Sequence, residues 1–253
     1  MKFLFIVQGE GRGHFTQAIT LEEMLLRNGH EVVEVLVGKS STRTLPGFFN
    51  RSIHAPVKRF ISPNFLPTAD NKRANLTKSF AYNLLKLPEY IRSMYYINQR
   101  IRETGAEVVI NFYELLTGLT YALFRPSVPY ICVGHQYLFL HRDFESPDKN
   151  SCQLWMLRFF TRMTALRSSK KLALSFLEME QDDMNQIVTV PPLIRQEVTA
   201  IRPEKGDYIH GYMVNSGFSV GATSVEVRSI VSLLTGTAFS VRSISSLSLV
   251  EDT

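Results

Sequence analysis

The chain of 253 residues has only two cysteines, Cys132 and Cys152. Two cysteines so far apart, one of them inside an expected buried strand, argue for reduced thiols rather than a disulfide framework. No apolar run approaches the length of a membrane-spanning helix. The apolar stretch 3–7 at the N-terminus is too short for a signal peptide, and Gln8-Gly9-Glu10 interrupts it where the apolar region should continue. These absences point to a cytoplasmic protein. There is no dense basic stripe either. The formal charge of +5 is spread along the chain, so nucleic-acid binding is not expected, while an anionic substrate or membrane surface is permitted but not demanded.

What the chain does have is an alternation of short apolar segments with helical patterns. Residues 2–7 read as a strand and 15–28 as a helix, with Ala18, Leu21, Met24 and Leu25 three and four apart on one face. Asn28-Gly29 stops that helix. A Val-rich strand follows at 31–37. Residues 44–75 carry Pro46, Pro56, Pro63 and Pro67, which argues for irregular structure with a short strand near 58–61. One long helix or two are expected at 76–103, with a bend at Pro88 and an end at Gly105. Strands at 108–112, 129–133 and 172–176 alternate with helices at 115–124 and 152–168. This is the pattern of an α/β fold, a doubly wound parallel sheet.

The richest stretch is the first loop. Gly9, Gly11 and Gly13 alternate after an apolar strand, and His14 follows at once. Glycines there let backbone N–H groups approach an anion or a sugar, and the helix behind them adds the positive end of its dipole. The spacing excludes two standard nucleotide loops. A dinucleotide fingerprint needs its third glycine one residue later than Gly13, and a P-loop ends in Gly-Lys-Ser/Thr rather than Gly13-His14-Phe15. A tight strand-to-helix turn that needs glycine only for packing explains the spacing equally well. His14 tips the balance toward a site: near a helix N-terminus its imidazole is expected to stay neutral and able to take a proton from an attacking hydroxyl.

The segment 9–18, Gly-Glu-Gly-Arg-Gly-His-Phe-Thr-Gln-Ala, resembles the N-terminal loop of the two-domain GT-B glycosyltransferases, in particular the family 28 group that includes MurG. Gly13, His14 and Ala18 match that loop; Glu10 and Arg12 depart from it. The resemblance implies a Rossmann-like, acceptor-binding N-terminal half, a second domain that holds a nucleotide-sugar donor, and a reaction in the cleft between them. It implies a hexosyl-type transfer to a hydroxyl acceptor, lipid-linked or from the cell envelope, with no cofactor and a peripheral membrane contact left open. On it, His14 acts as base or orienting group, and Gly9, Gly11, Arg12, Gly13 and Thr16 are expected in the substrate-binding loop. A stand-alone nucleotide-sugar module, half of a split transferase, and a GT-B nucleotide-sugar epimerase are the alternatives.

Strand ends supply further candidates. Asn111 and Glu114 follow the strand at 108–112, Asn111 as a substrate contact and Glu114 as a general base or merely an acid favoured by a helix N-terminus. His135 and Gln136 leave the next strand at the same edge as substrate contacts. His135 and His141 lack the spacing of a metal site, so no metal is expected.

Three regions are expected: an acceptor domain at 1–190, a linker with a fresh strand at 191–215, and a tail at 216–253. The tail is serine-rich and free of lysine and proline. Too few residues remain for a donor domain, and the shift at Ser216 is expected to mark a truncated or frame-shifted reading.

Overall fold

Seven parallel strands form one sheet in the order β3-β2-β1-β4-β5-β6-β7. They are β1 (Lys2–Gln8), β2 (Glu31–Lys39), β3 (Val57–Ile61), β4 (Val108–Phe112), β5 (Tyr130–Val133), β6 (Lys170–Leu174) and β7 (Ile187–Val190). The helices are α1 (Arg12–Arg27), α2 (Gly47–Ser52), α3 (Leu87–Glu103), α4 (Leu115–Phe124), α5 (Cys152–Thr164) and the short α6 (Gln196–Thr199), with a 3-10 helix at His135–Leu140. The computed structural model describes residues 1–39, 44–63, 82–146 and 152–202. The strand expected at 206–214 and the tail from 216 lie outside the described residues.

The sheet is covered on both faces, which explains its unbroken apolar strands. In β1, Phe3, Phe5 and Val7 point into one core with Phe15, Ala18 and Ile19 of α1. Leu4 and Ile6 point into the other, with Met94, Ile97 and Ile101 of α3 and Leu116 of α4. A strand period of two thus feeds both layers from one short segment.

Several elements differ from the sequence expectation for physical reasons. Helix α1 begins at Arg12, with Gly11 as its extended N-cap, so Gly13 is helical and not part of the loop. Met24 is exposed, and Glu22 takes its place inside the buried stripe. That carboxylate is buried because the backbone N–H groups of His54 and Ala55 donate to it at 2.9 and 2.8 Å, which a hydrophobic pattern cannot reveal. Residues 82–85 are helical, the chain turns at Lys86, and a new helix starts at Leu87; Pro88 sits in the first turn of this helix, α3, where its missing N–H is not needed. The sixth strand ends at Leu174, leaving Phe176 exposed. Strand β7 lies at the end of the expected 1–190 domain without being expected as a strand; it pairs parallel with β6 from Lys171↔Ile187 to Leu174↔Val190. The expected stop at Asn28-Gly29 is met, with Gly29 at φ +73°.

Candidate functional site

The sheet changes winding direction at β1. The chain runs from β1 outward through β2 and β3, then returns to place β4 on the other side. In open α/β sheets the crevice beyond the carboxyl ends of the strands flanking such a switch point is where ligands bind. The β1 end delivers Gly9 to His14 to that crevice, the β4 end delivers Tyr113 and Glu114, and the β5 end delivers His135 and Gln136.

His14 lies in the first turn of α1 and is 6% exposed. Its ring stacks on Tyr113, with centroids 5.8 Å apart and planes 17° from parallel. Its Nε2 lies 3.4 Å from Gln136 Nε2. Burial is the main reason its pKa falls from 6.5 to about 4, and the charge of neighbouring His135 adds to the fall. Gln17, one turn further along α1, pulls the other way. His14 Nδ1 and Gln17 Oε1 are both buried, and neither completes a well-formed hydrogen bond. The imidazole is therefore neutral at physiological pH, mostly through desolvation and less through the helix dipole than the sequence implied. His135 is exposed on the same edge, with its own pKa lowered by partial enclosure of its ring.

Gly9, Gly11 and Gly13 divide into two kinds. A Cβ at Gly9 would come 2.7 Å from the Gly38 carbonyl, so Gly9 is glycine for close packing against β2. Cβ atoms at Gly11 and Gly13 would meet nothing within 4 Å. Those two positions border open space in front of a helix N-terminus. Arg12 is exposed there, while the Thr16 hydroxyl turns inward to donate to the Gly13 carbonyl at 2.8 Å.

The β4 end is built differently. Asn111 is fully buried. Its amide nitrogen donates to the carbonyls of Glu114 and Thr164 at 3.2 and 2.9 Å, and its Oδ1 accepts the Glu114 N–H at 3.0 Å. Its side chain staples the turn and leaves nothing to reach a substrate. Glu114 caps α4: its Oε1 accepts from the Leu116 N–H at 3.2 Å and the Ser62 hydroxyl at 2.5 Å. It is sealed from solvent, with Gly38 and Phe60 packed over it so closely that a Cβ on Gly38 would clash with its Oε2. Burial raises its pKa to about 7, against the lowering effect of Ser62 and the capping N–H. As placed, it cannot touch a reacting atom. Between these two, Tyr113 adopts φ +61°, a left-handed conformation that is costly for a bulky residue. Its hydroxyl pairs with Thr161 Oγ1 at 2.8 Å, and its ring meets His14 on one side and Tyr137 on the other. The strained backbone is what presents the ring to the histidine.

His141 is occupied structurally. Its Nε2 donates to the Glu180 carbonyl at 2.9 Å and its Nδ1 accepts the Asp143 N–H at 3.2 Å. Among the described residues no group of His, Cys, Asp or Glu has the arrangement of a metal site. Sequence reasoning passed over Gln17 and the stacking role of Tyr113. Gln17 stands three residues after His14, the one signal that would have placed it on the same side of α1.

A doubly wound sheet with a glycine-flanked histidine at its switch point defines a Rossmann-like domain of the GT-B glycosyltransferase type. The profile of the family described as "Glycosyl transferase family 1" matches residues 1–232, and the chain belongs to that family. No curated protein matches the chain. Among solved structures it is similar to UGT2 of Phytolacca americana, at 14% identity and a TM-score of 0.50, over 77% of this chain and 55% of that one. UGT89C1 of Arabidopsis thaliana is also similar, at 14% identity and a TM-score of 0.45, over 78% of this chain and 49% of that one. MurG of Acinetobacter baumannii follows at 14% identity and a TM-score of 0.39, over 75% and 45%. The chain spans about half the length of these structures.

Proposed function

We propose that this chain is the acceptor-binding half of a glycosyltransferase that moves a sugar from a nucleotide-sugar donor to a hydroxyl acceptor. The observation that carries the reading is His14: a neutral, buried imidazole at the N-terminus of α1, on the ligand-binding edge of the sheet. In the reaction the acceptor oxygen attacks the anomeric carbon and forms the new C–O bond. The bond from that carbon to the donor phosphate breaks, and the nucleoside diphosphate departs with the electron pair. The acceptor proton passes to His14. Family membership supports the reaction class. UGT2 of Phytolacca americana, crystallised with UDP-2-fluoro-glucose and pterostilbene, supports a nucleotide sugar and a hydroxyl compound as its two substrates.

Gly11, Arg12 and Gly13 belong to the same reading as the face met by substrate, because they border open space. A cytoplasmic location with peripheral membrane contact also belongs to it. Its support is on α5, where Trp155 and Phe159 stack at 5.6 Å and are 64% and 51% exposed. Co-sedimentation with anionic vesicles checks that part; loss of sedimentation in Trp155→Ser is the expected result. Among the described residues no helix is long and apolar enough to cross a membrane.

The experiment joins the chain to a donor domain and measures sugar transfer from UDP-glucose to a panel of hydroxyl acceptors. Transfer by the joined protein, with no UDP-glucose binding by the chain alone, supports the half-transferase. Tight UDP-glucose binding by the chain alone favours a stand-alone module. Interconversion of nucleotide sugars without acceptor favours an epimerase.

A further inference from the structure

Glu114 is a buried titratable group for which the transfer reaction has no use, and its two oxygens are held unequally. Its Oε1 accepts from the Ser62 hydroxyl at 2.5 Å and from the Leu116 N–H at 3.2 Å. Its Oε2 is buried without a hydrogen-bond partner among the described residues. A negative charge shared by both oxygens would be left half unsolvated, which is unfavourable inside a fold.

The unpartnered oxygen packs against Gly38, where an added Cβ would overlap it. Gly38 also holds the turn that leads into α1: its carbonyl accepts the Gly9 N–H at 2.7 Å. One residue of β2 thus contacts both the Glu114 carboxyl and the start of the Gly9–Gly11 turn. The other surroundings are neutral. Strand β3 contributes Phe60, with Ser62 just beyond it, and α4 contributes its first N–H groups. Asn111 of β4 bonds the Glu114 backbone. Lys39 follows Gly38, and it is its Cβ that lies behind Gly9. The charge that acts most on Glu114 is that of Glu10, in the turn itself, and it opposes ionisation. Ionising Glu114 therefore sets a second negative charge against the turn and leaves Oε2 without a donor until water enters.

We propose that Glu114 is a proton-controlled latch on the turn between β1 and α1. Neutral, it lets β2 and the turn close over it. Ionised, it favours a form in which the Gly9–Gly38 contact opens and water reaches the carboxylate. The closed form keeps its proton up to pH about 7, while an open form with an ordinary carboxyl loses it near 4.5. The ratio of open to closed then rises about tenfold per pH unit between those values and levels off above them. The turn that leads to His14 is held in mild acid and loosened toward neutrality. The latch concerns this turn and not the reaction, so it stands or falls apart from the transferase reading.

The test is hydrogen exchange of the Gly9 amide, followed by NMR on the full chain from pH 5 to 8, with each rate divided by that of an unstructured amide. The opening constant at Gly9 is expected to rise about 100-fold from pH 5 to 7 and then flatten. The Ser175 amide, which donates to the Val190 carbonyl at 2.9 Å between β6 and β7, stays level. Glu114→Gln cannot ionise and flattens the Gly9 response. Glu10→Gln removes the opposing charge and ends the rise at a lower pH. Should Glu114→Gln not fold, Ser62→Ala decides: it keeps the titrating group, removes a donor to the carboxylate and carries the rise to higher pH. The proposal is overturned if Gly9 opening is level with pH in wild type, if the rise persists in Glu114→Gln, or if Ser62→Ala leaves it unmoved. It is also overturned if Gly9 exchanges only as slowly as the core amides of Leu4 and Ile6, because the turn then opens only with the whole fold. No substrate is present, so each of these outcomes leaves sugar transfer to its own assay.

Discussion

The carboxyl ends of β1 and β4 are adjacent, and both carry polar residues in positions where such sheets hold ligands, yet they are finished in opposite ways. At the β4 end, Asn111 spends its whole amide on protein partners and Glu114 is shut beneath Gly38 with Ser62 and the α4 cap on its Oε1. At the β1 end, His14 and its neighbours Gln17 and Gln136 keep buried polar atoms unpaired, and Gly11 and Gly13 face open space. The difference is therefore one of access rather than of complete pairing, since Glu114 Oε2 is also buried without a partner: the β4 groups are sealed inside the fold, and those of the β1 end stand beside open space.

The largest test of that contrast is on rate. In the protein joined to a donor domain, His14→Ala is expected to lower kcat for transfer by about 10²–10⁴-fold, the usual worth of a positioned base. Full activity in this variant would remove the catalytic assignment and make the β1 end structural too.

Acid–base behaviour separates the two ends next. His14 has its folded pKa lowered from 6.5 to about 4. Its contribution is complete above pH 6.5 and is lost as pH falls toward 4, because unfolding then lets the ring charge. Glu114 has its folded pKa raised from 4.5 to about 7. Its contribution is complete below pH 4.5 and is lost as pH rises through 7, because the unfolded carboxyl ionises first. Each amounts to about 3 kcal/mol at most over its window. Denaturant melts from pH 4 to 8 should show the acid-side loss shrink in His14→Ala and the neutral-side loss shrink in Glu114→Gln. An unchanged slope in either variant shows that the residue is not the source.

Asn111→Ala should cost about 2–3 kcal/mol of stability, since it leaves the Glu114 N–H and two carbonyls without their partner. The smallest contrast is between glycines. Gly38→Ala should cost about 1–3 kcal/mol, because the methyl group must displace the Glu114 carboxyl or Phe60. Gly13→Ala should raise stability by about 0.5–1 kcal/mol, as alanine suits a helix better, while weakening substrate binding. Thermal melts read both, and equal melting losses would mean that the two glycines do the same job.

Much of the architecture was legible in the sequence because it rests on local signals. Apolar strands, the helix stop at Asn28-Gly29 and the Gly-His loop are each written in neighbouring residues. Strand β7 was not, since Ile187–Val190 is four residues long and followed at once by two prolines. It becomes a strand only because β6 offers an open edge to pair with. Glu22 and Met24 exchanged their expected burial because the backbone donors that make Glu22 tolerable come from residues 54 and 55.

By itself, then, the sequence determined the winding pattern, the glycine-histidine turn and its address at a strand end, all set by periodicity and backbone freedom within short windows. Only the tertiary structure decided which strand-end residues are free. Glu114 is closed off by β2 and β3, and Asn111 is used up partly by Thr164 of α5. His14 is made neutral by burial against residues that come, like Tyr113 and Gln136, from about a hundred positions further along the chain. Desolvation and hydrogen-bond satisfaction depend on everything packed around an atom, and most of what surrounds these atoms is distant in sequence.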